Sequence, residues 1–432
     1  MKVYNQIIEL YESINFRTKR ERTVCQYLWQ LEELLSKPTT FYVGTDPTAD
    51  SLHLGHLLAF TTAKLLQSYG HRPIVLLGGA TAFIGDPSFK SEERKLLSPE
   101  TVAHNIEGIR AQVSKLLDFT NGAIMVNNYD WMKDFSFIDF AREVGKCITV
   151  NYMMAKDSVK KRIEREGSGM SFTEFTYQLL QGYDFVELYK KYDCKLQIGG
   201  SDQYGNGTTG MELIRKMLGK DDACMLTWPL VTKSDGTKFG KSEKGNIWLD
   251  PEKTSPYEFY QFWLNQSDED SERFIKMFTL IPLGNIETII EQHRENPSKR
   301  FLQRRLAEYM TNMIHGKDAL DGVEQATAFL FGGIDIKDVD ENGWKFVKSE
   351  VATVEIPKQQ LESGVTVIDL ATMHSSVPSK SEARKLVKSN GFSINKEKVN
   401  DERAIIDAGS LINDRYLLLQ KGKKDYTLVI CE

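Results

Sequence analysis

The order of apolar and polar residues divides the chain into an alternating first half and a second half without that alternation. Short apolar runs predict buried strands at 39–45, 72–79, 123–127, 195–199 and 224–231. Between them, apolar residues recur at helical spacing over 57–67, 98–117 and 172–185, with Ser98 and Pro99 as N-cap and first residue of the middle helix. Because alternating strands and helices imply a parallel sheet, the first half is predicted to be an α/β domain.

In the second half of the chain, the pattern of apolar and polar residues changes twice. Residues 255–331 have helical spacing throughout, 332–345 are rich in Gly and Asp, and 346–432 combine a helix at 379–389 with hairpin-like segments. We therefore expect a separate helical domain, a linker and a small C-terminal α+β module. Five segments follow: 1–232, 233–254, 255–331, 332–345 and 346–432.

Composition excludes several classes of protein. At 432 residues, the chain has room for two or three domains. No stretch of 18 apolar residues is present, and residues 1–10 lack the apolar region of a signal peptide, so we expect a cytoplasmic protein without a membrane span. Its five cysteines lie singly, and His53 and His56 lack a third ligand at a recognisable spacing. We expect no disulfide framework and no tightly bound metal.

The net charge of −5 does not indicate nucleic-acid binding, but one segment is basic. Residues 378–398 contain six Lys or Arg residues and two Glu residues. Four of the basic residues lie on the predicted helix and are candidate RNA contacts: Lys380, Arg384, Lys385 and Lys388. The alternative is an ordinary solvated helix face.

Two short strings carry the strongest chemical signal. His53-Leu54-Gly55-His56 follows the first strand and begins a helix, whereas Lys238-Phe239-Gly240-Lys241-Ser242 lies in a Gly-rich loop. A helix N-terminus attracts phosphate, and Gly55 lets a ligand approach the backbone. Two lysines on a mobile loop can close over the same phosphates, and Thr48 and His53 can donate to a transferring phosphoryl group. Together the strings indicate activation by a nucleoside triphosphate.

The order and separation of the two strings resemble the signatures of class I aminoacyl-tRNA synthetases. Phe239 and Gly240 stand where this family usually has Met and Ser, at positions that we interpret as shaping the loop. Lys238, Lys241 and Ser242 match the family pattern. The resemblance implies a Rossmann-like catalytic domain.

The segment after the second strand offers further charged candidates. Asp86 is placed to receive a cationic amine, and Lys90 and Arg94, four residues apart, can both reach a pyrophosphate. Surface pairing of these two cations with Glu92 and Glu93 is the alternative.

A polar stripe runs along the predicted helix at 172–185. Tyr177, Gln181 and Asp184 share one face, and no Lys, Arg or Glu lies between residues 176 and 186. An amphipathic helix with a solvated side is the alternative, but its usual charged residues are absent. The stripe therefore favours a polar pocket.

Over nearly its whole length the chain resembles the bacterial type of tyrosyl-tRNA synthetase. The matching strings are 46–53, 85–88, 151–156, 171–175, 197–203 and 254–263. The resemblance implies that Tyr42 and Asp184 bind the phenol hydroxyl of L-tyrosine, that Asp86, Tyr177 and Gln181 bind its amino group, and that Gln203 lies beside its carboxyl group. It also implies the ATP-binding residues, namely Asp46, Gly55, His56, Gly200, Asp202 and Lys241.

The implied reaction is ligation of tyrosine to tRNA(Tyr) through tyrosyl-adenylate, with ATP as a substrate that carries Mg²⁺. Lys90, Arg94, Lys238 and Lys241 would hold the departing pyrophosphate, and Thr48 and His53 the γ-phosphate. The C-terminal module resembles an S4-type RNA-binding domain. The resemblance further implies a homodimer with the segment around Phe172 near its interface.

Three other functions remain open on the sequence. A tryptophan-specific synthetase shares the fold, although Tyr42 and Asp184 favour tyrosine. A catalytically inactive RNA-binding protein is disfavoured by the intact His and Lys signatures. A nucleotidyltransferase that makes a dinucleotide shares the His-x-x-His string, but it explains neither the helical domain nor the basic module.

Overall fold

The computed structural model describes residues 28–87, 96–164, 169–242, 245–331, 334, 338–422 and 425–432. They form two compact units. The first comprises the chain up to Ser255 together with Phe262–Met310, and the second comprises Pro256–Gln261 and Thr311–Glu432.

A five-stranded parallel sheet forms the centre of the first unit, as predicted. Its order is β3–β2–β1–β4–β5, and its strands are β1 Thr40–Thr45, β2 Arg72–Leu77, β3 Ile124–Asn127, β4 Cys194–Gly200 and β5 Cys224–Trp228. All five pair in parallel, with Tyr42 opposite Ile74 on one side and Gln197 on the other. The carboxyl ends of all five strands therefore lie along one edge, where parallel sheets bind ligands.

The structure describes nine α-helices between residues 28 and 218. They are α1 Leu28–Leu35, α2 Leu54–Ser68, α3 Pro99–Leu116, α4 Tyr129–Met132, α5 Phe137–Glu143, α6 Val150–Met154, α7 Asp157–Ile163, α8 Phe172–Tyr192 and α9 Tyr204–Leu218. The Ser98 side chain accepts from the Thr101 N–H and caps α3, as predicted. Sequence analysis did not predict α4–α7, since helices of four to seven residues are too short to show a helical period.

Helix α8 is longer than its predicted range of 172–185. It begins at a capping box in which Ser171 and Glu174 each accept the other's backbone N–H. It continues to Tyr192 because Val186 and Leu188 prolong its buried face, and it ends where Asp193 adopts a left-handed conformation with φ of 50°. In these extra turns Lys190 and Lys191 are exposed, whereas Glu187 is buried.

The chain then forms β6 Lys241–Ser242, β7 Gly245–Asn246, α10 Pro256–Leu264, α11 Asp268–Phe278, α12 Leu283–Glu295, α13 Phe301–His315, α14 Lys317–Phe331 and α15 Glu341–Glu350. Helix α15 begins inside the range predicted as a linker, because the Asp340 side chain accepts from the Gly343 N–H and caps it. The unit boundary after Met310 falls inside the range predicted as one helical domain. The five-segment division of the chain stays a prediction.

The C-terminal module is α+β, as predicted. Its sheet has the order β11–β10–β13–β14–β8, and only the β14–β8 pair is parallel. Its elements are β8 Ala352–Ile356, α16 Lys358–Glu362, β9 Val365–Thr366, α17 Val367–Ala371, α18 Lys380–Lys388, β10 Phe392–Ile394, β11 Glu397–Lys398, β12 Ile405–Ile406, β13 Tyr416–Lys421 and β14 Asp425–Cys431. Helix α18 is the predicted basic helix.

Aromatic contacts join this module to α14 and α15. Tyr416 stacks on the buried Trp344 with ring centroids 4.6 Å apart, and the Tyr426 hydroxyl donates to the Leu330 carbonyl over 2.8 Å. The Lys396 ammonium lies 4.3 Å from the centre of the Phe329 ring. The module and the two helices consequently pack as one unit. In the parts of the chain described above, none of the helices has the length and apolar character to cross a bilayer.

Candidate active site

The predicted site residues that the structure describes in the first unit lie mainly at the carboxyl edge of the sheet. Asp46 follows β1 and Asp202 follows β4, and the same edge holds Gly78 after β2 and Asn128 after β3, which were not among the predicted residues. The loop that carries the second signature string follows β5. Strand order alone thus brings together residues that are far apart in sequence.

His53 and His56 cap the start of α2. The His53 Nδ1 accepts from the Gly55 N–H over 3.0 Å, and the His56 Nδ1 accepts from the His53 N–H over 3.2 Å. In the neutral rings the proton must then be on Nε2, which makes each Nε2 a hydrogen-bond donor. The two rings lie 4.0 Å apart, and a Cβ at position 55 would lie 2.7 Å from the His53 ring. A side chain at position 55 would therefore displace the His53 ring, and glycine avoids this.

The two signature strings meet. A Cβ on Gly240 would lie 3.1 Å from the Leu54 Cβ and 3.5 Å from the Gly55 nitrogen, and the φ of 77° at Gly240 favours glycine. Ile247 links both strings, because its N–H donates to the Gly240 carbonyl and its carbonyl accepts from the Leu54 N–H. The exposed side chains of Lys238 and Lys241 flank this contact.

A chain of amide and carboxylate groups leads away from β4. The Gln203 Nε2 donates to Asp86 over 2.8 Å and to Asp202 over 3.2 Å, and its Oε1 accepts from Gln181 over 3.0 Å. Asn206 in turn donates to the Gln181 Oε1 over 2.8 Å. Burial raises the pKa of Asp202. The predicted residues Asp86, Gln181, Asp202 and Gln203 thus form one connected group.

Asp46 accepts two side-chain hydrogen bonds. The Tyr177 hydroxyl donates to its Oδ2 over 2.8 Å and the Thr81 hydroxyl to its Oδ1 over 2.7 Å. Burial raises the pKa of Tyr177 well above its ordinary value, with the Asp46 charge adding to this effect. A Cβ on Gly78 would lie 1.9 Å from Asp46, so this carboxylate sits directly against the backbone after β2.

Asp184 and Tyr42 form a deeply buried polar pair, each 1% exposed. Asp184 accepts from the Trp131 Nε1 over 2.9 Å and from the Asn128 Nδ2 over 3.0 Å. Burial raises its pKa to about 8, although both hydrogen bonds oppose this shift. Burial, followed by the nearby Asp184 charge, raises the pKa of Tyr42 well above its ordinary value.

The Tyr42 hydroxyl is a candidate contact for a ligand. Within the described residues this buried oxygen has no hydrogen-bond partner. A buried hydroxyl without a partner is costly in a folded protein, so its presence beside a carboxyl group indicates a place for a ligand hydroxyl.

Sequence analysis missed two residues that support this pair. Asn128 and Trp131 hold the Asp184 carboxyl, and Asn128 also donates to the Thr81 hydroxyl over 3.0 Å. A signal for Asn128 was present, because it directly follows the carboxyl end of β3. Nothing in the sequence pattern distinguishes Trp131 from a core aromatic residue.

The remaining predicted residues are less closely grouped or not described. Lys90 and Arg94 lie outside the described residues, and only the backbone of Ser242 is described, in β6. Thr48 is exposed in the turn after Asp46, and a Cβ on Gly200 would lie 2.4 Å from Asp202. No three His, Cys, Asp or Glu side chains are grouped as metal ligands in the portion of the chain that the structure covers.

On helix α18 the four basic candidates fall into two kinds. Lys380 pairs with Asp369 over 2.6 Å and Lys388 with Glu402 over 3.6 Å. Arg384 and Lys385 are exposed, and among the described residues neither forms an ion pair. These two cations are the better candidates for a phosphate partner.

Comparisons with known proteins agree with this geometry. A family model described as tRNA synthetases class I (W and Y) matches residues 35–332, and one described as Tyrosine--tRNA ligase SYY-like C-terminal domain matches 347–429. The tyrosine--tRNA ligase of Flavobacterium johnsoniae is 52% identical over 407 residues, which cover 92% of this chain and 94% of the relative. That of Bacteroides fragilis is 53% identical over 411 residues, which cover 93% and 95%.

Among solved structures, a C-terminally truncated Aspergillus nidulans mitochondrial tyrosyl-tRNA synthetase is similar with a TM-score of 0.65. It is 31% identical, and the match covers 76% of this chain and 98% of that one. Two family models, two close relatives and one structure thus point to the same group. The chain belongs to the class I tRNA synthetases of the tryptophan and tyrosine group, within the tyrosine--tRNA ligase family.

Proposed function

We propose that this protein activates L-tyrosine with ATP and transfers the tyrosyl group to tRNA(Tyr). The observation that carries the proposal is the buried pair of Tyr42 and Asp184, connected through Asn128 and Thr81 to Asp46 beside the first signature string. A pocket of this kind matches a phenol hydroxyl. Its connection to a nucleotide-binding helix start matches adenylate formation.

In the first step the tyrosine carboxylate attacks the α-phosphorus of ATP in line. The bond from that phosphorus to the bridging oxygen breaks, and pyrophosphate leaves. No covalent intermediate on the enzyme is needed, so positioning and charge stabilisation supply the rate. Lys238 and Lys241 meet the leaving pyrophosphate, and we place Lys90 and Arg94 there as well. Mg²⁺ belongs to the ATP substrate in this scheme.

The helix start contributes donors. Because each Nδ1 is occupied by a backbone N–H, His53 and His56 can offer Nε2–H to phosphate or ribose oxygens without a change of tautomer. Thr48 adds a hydroxyl donor to the γ-phosphate. Donors that gain strength as charge develops lower the barrier and do more than bind the substrate.

The polar groups around β4 fit the remaining parts of the adenylate. Asp86, Tyr177 and Gln181 are proposed to bind the amino group of tyrosine, and Gln203 to lie beside its carboxyl group. Asp46, Gly55, Gly200 and Asp202 are proposed to hold the nucleotide. Their hydrogen bonds to one another keep the carboxylates oriented before a substrate arrives, which supports these roles.

A direct test is tyrosine-dependent exchange of labelled pyrophosphate into ATP. We expect exchange with tyrosine and a background rate with tryptophan or phenylalanine, since both lack the phenol hydroxyl. Exchange that depends on tryptophan would favour the related tryptophan-specific activity. Absence of exchange with every amino acid would contradict the proposal.

In the second step the terminal ribose hydroxyl of the tRNA attacks the tyrosyl carbonyl, and AMP leaves. We propose that the C-terminal module binds the tRNA backbone through α18. Arg384 and Lys385 support this proposal, because they are exposed cations on one helix of a module that matches the SYY-like C-terminal family model.

Reversing both charges tests the tRNA contact. We expect Arg384→Glu with Lys385→Glu to raise the KM for tRNA by at least about tenfold, because each phosphate contact adds to a salt-dependent binding free energy. Pyrophosphate exchange needs no tRNA and should not change. The same charge reversal at Arg110 and Lys115 on α3 is the control, and equal effects in both variants would contradict a specific role for α18.

We also propose a homodimer through the α5–α8 region. Phe137, Ile138 and Phe172 are 70%, 74% and 67% exposed, and the Phe137 and Phe172 rings lie 6.3 Å apart. Val150 on α6 is 62% exposed. A soluble chain seldom leaves such a group of large apolar side chains in water, and a second copy covers them by symmetry.

A charge in this apolar group should separate the subunits. We expect Phe172→Glu to reduce the mass measured by sedimentation from that of a dimer to that of one 49.3 kDa chain. Ile405→Glu is a matched control, because Ile405 is 68% exposed in the other unit. A wild-type monomer, or a Phe172→Glu variant that remains dimeric, would contradict the proposed interface.

A further inference from the structure

Phe239 has a buried side chain between two exposed lysines of the signature loop. Its side chain is 8% exposed, whereas Lys238 and Lys241 on either side are exposed. Its ring contacts four aromatic rings at centroid distances of 5.8, 5.8, 4.7 and 5.0 Å, contributed by Phe262, Trp263, Phe274 and Phe278. We call these four residues the aromatic seat. A contact set of this size anchors the loop at one point between its two lysines.

Helix α11 holds the rest of the loop as well. Asp270 accepts from the Ser234 N–H over 2.8 Å and from the Ser234 hydroxyl over 3.0 Å, and Arg273 donates to the Thr232 carbonyl over 3.3 Å. Residues 270, 273, 274 and 278 follow helical spacing and lie on one face. This face of α11 therefore contacts the start of the loop through polar groups and its centre through Phe274 and Phe278.

On the side away from the aromatic seat, the loop contacts the first signature string. Gly240 follows Phe239 directly, and its backbone lies against Leu54 and Gly55. A shift of Phe239 in the aromatic seat must move Gly240, and the start of α2 leaves little room for that movement. The position of both lysines over the helix start is thus fixed by one aromatic side chain and one glycine.

We propose that Phe239 is a positioning residue for adenylate formation, and that the aromatic seat on α10 and α11 sets where Lys238 and Lys241 meet the polyphosphate. The inference rests on the proposed function. It goes beyond that function because it assigns control of the rate to residues that touch neither substrate. The anchor acts on the step in which charge moves to the leaving pyrophosphate, and it leaves the tyrosine pocket unchanged.

The test separates kcat for pyrophosphate exchange from tyrosine affinity. We expect Phe239→Ala to lower kcat on the order of 10²-fold, since a misplacement of about 1 Å has that effect. The Kd for tyrosine, measured by equilibrium dialysis without ATP, should stay unchanged. Phe239→Met should recover most of the rate, because an unbranched apolar side chain can fill the same seat.

A change in the seat itself should reproduce the effect. Phe274→Leu alters no loop residue, yet we expect it to lower kcat in the same direction without changing the Kd for tyrosine. Phe329→Leu is the control, because Phe329 is equally buried in the other unit and should lower only the melting temperature.

The outcomes are distinct. A Phe239→Ala protein that melts earlier but keeps the wild-type kcat would overturn the inference and leave Phe239 a structural residue. If Phe239→Ala does not fold, Phe274→Leu decides, and an unchanged kcat there overturns the inference. Wild-type protein without any exchange would instead contradict the proposed function.

Discussion

Replacing Lys241 by alanine should lower the rate of tyrosine-dependent pyrophosphate exchange by a factor on the order of 10²–10³, the usual effect of removing one preorganised group that meets developing charge. Lys241 has an exposed ammonium beside the contact between Gly240 and Leu54, so it can meet phosphate on the nucleotide side of that contact. We expect kcat to fall and the Kd for tyrosine to stay constant.

The measurement is steady-state exchange at saturating tyrosine, with ATP varied. Lys220→Ala is a matched control, because it removes an exposed lysine of the same unit that lies outside the loop. Undiminished exchange by the Lys241→Ala protein would remove Lys241 from the mechanism. A loss of tyrosine binding would show that the variant disturbs more than the loop.

The second large effect concerns Asp184. At pH 9, above its pKa of about 8, Asp184 is ionised, and we expect Asp184→Asn to lower kcat/KM for tyrosine about 10- to 150-fold there, because a hydrogen bond to a charged group contributes about 1.5–3 kcal/mol. Tyr42→Phe should lower it by less, about tenfold at most, since it removes one neutral hydrogen bond. The rate with phenylalanine should hardly change in Tyr42→Phe, so discrimination between the two amino acids should fall.

The physical reason is the cost of an unpaired polar group. A pocket that pairs a substrate hydroxyl rejects the analogue without it, and tyrosyl-tRNA synthetases are themselves the usual example, at a factor on the order of 10⁵. The measurement is exchange with each amino acid in turn. Tyr183→Phe is a control on the same helix, since the Tyr183 hydroxyl donates to Glu187 and not to Asp184. Equal losses for tyrosine and phenylalanine in Asp184→Asn would contradict a phenol-specific role.

Much of the fold followed from periodicity. Five apolar runs predicted the five parallel strands, and their carboxyl ends predicted where the site lies. Boundaries were less accurate. The last strand ends at Trp228 and not at residue 231, because Pro229 interrupts it, and α2 begins at Leu54 because His53 and His56 cap it there.

Pairings across long distances were beyond the sequence pattern. Nothing local to Phe239 indicates Phe274 and Phe278, and nothing local to Trp131 indicates Asp184, since such contacts depend on how whole elements pack. The same applies to the hydrogen bond from the Tyr177 hydroxyl to Asp46, which joins two residues 131 positions apart. The residue pattern predicts the spacing of side chains within one helix or strand, but it does not predict how helices and strands pack against one another.

The pairing of residues 247–249 with 52–54 has a consequence for turnover. The Leu54 N–H donates to the Ile247 carbonyl, the Leu249 N–H donates to the Leu52 carbonyl, and His53 forms a bridge with Trp248. These bonds attach residues 247–249, which follow the lysine-bearing loop, to the segment that carries His53 and His56. Because Phe239 stays in the aromatic seat, release of pyrophosphate then requires only the exposed lysine side chains to move away, and the imidazoles remain in register for the next ATP.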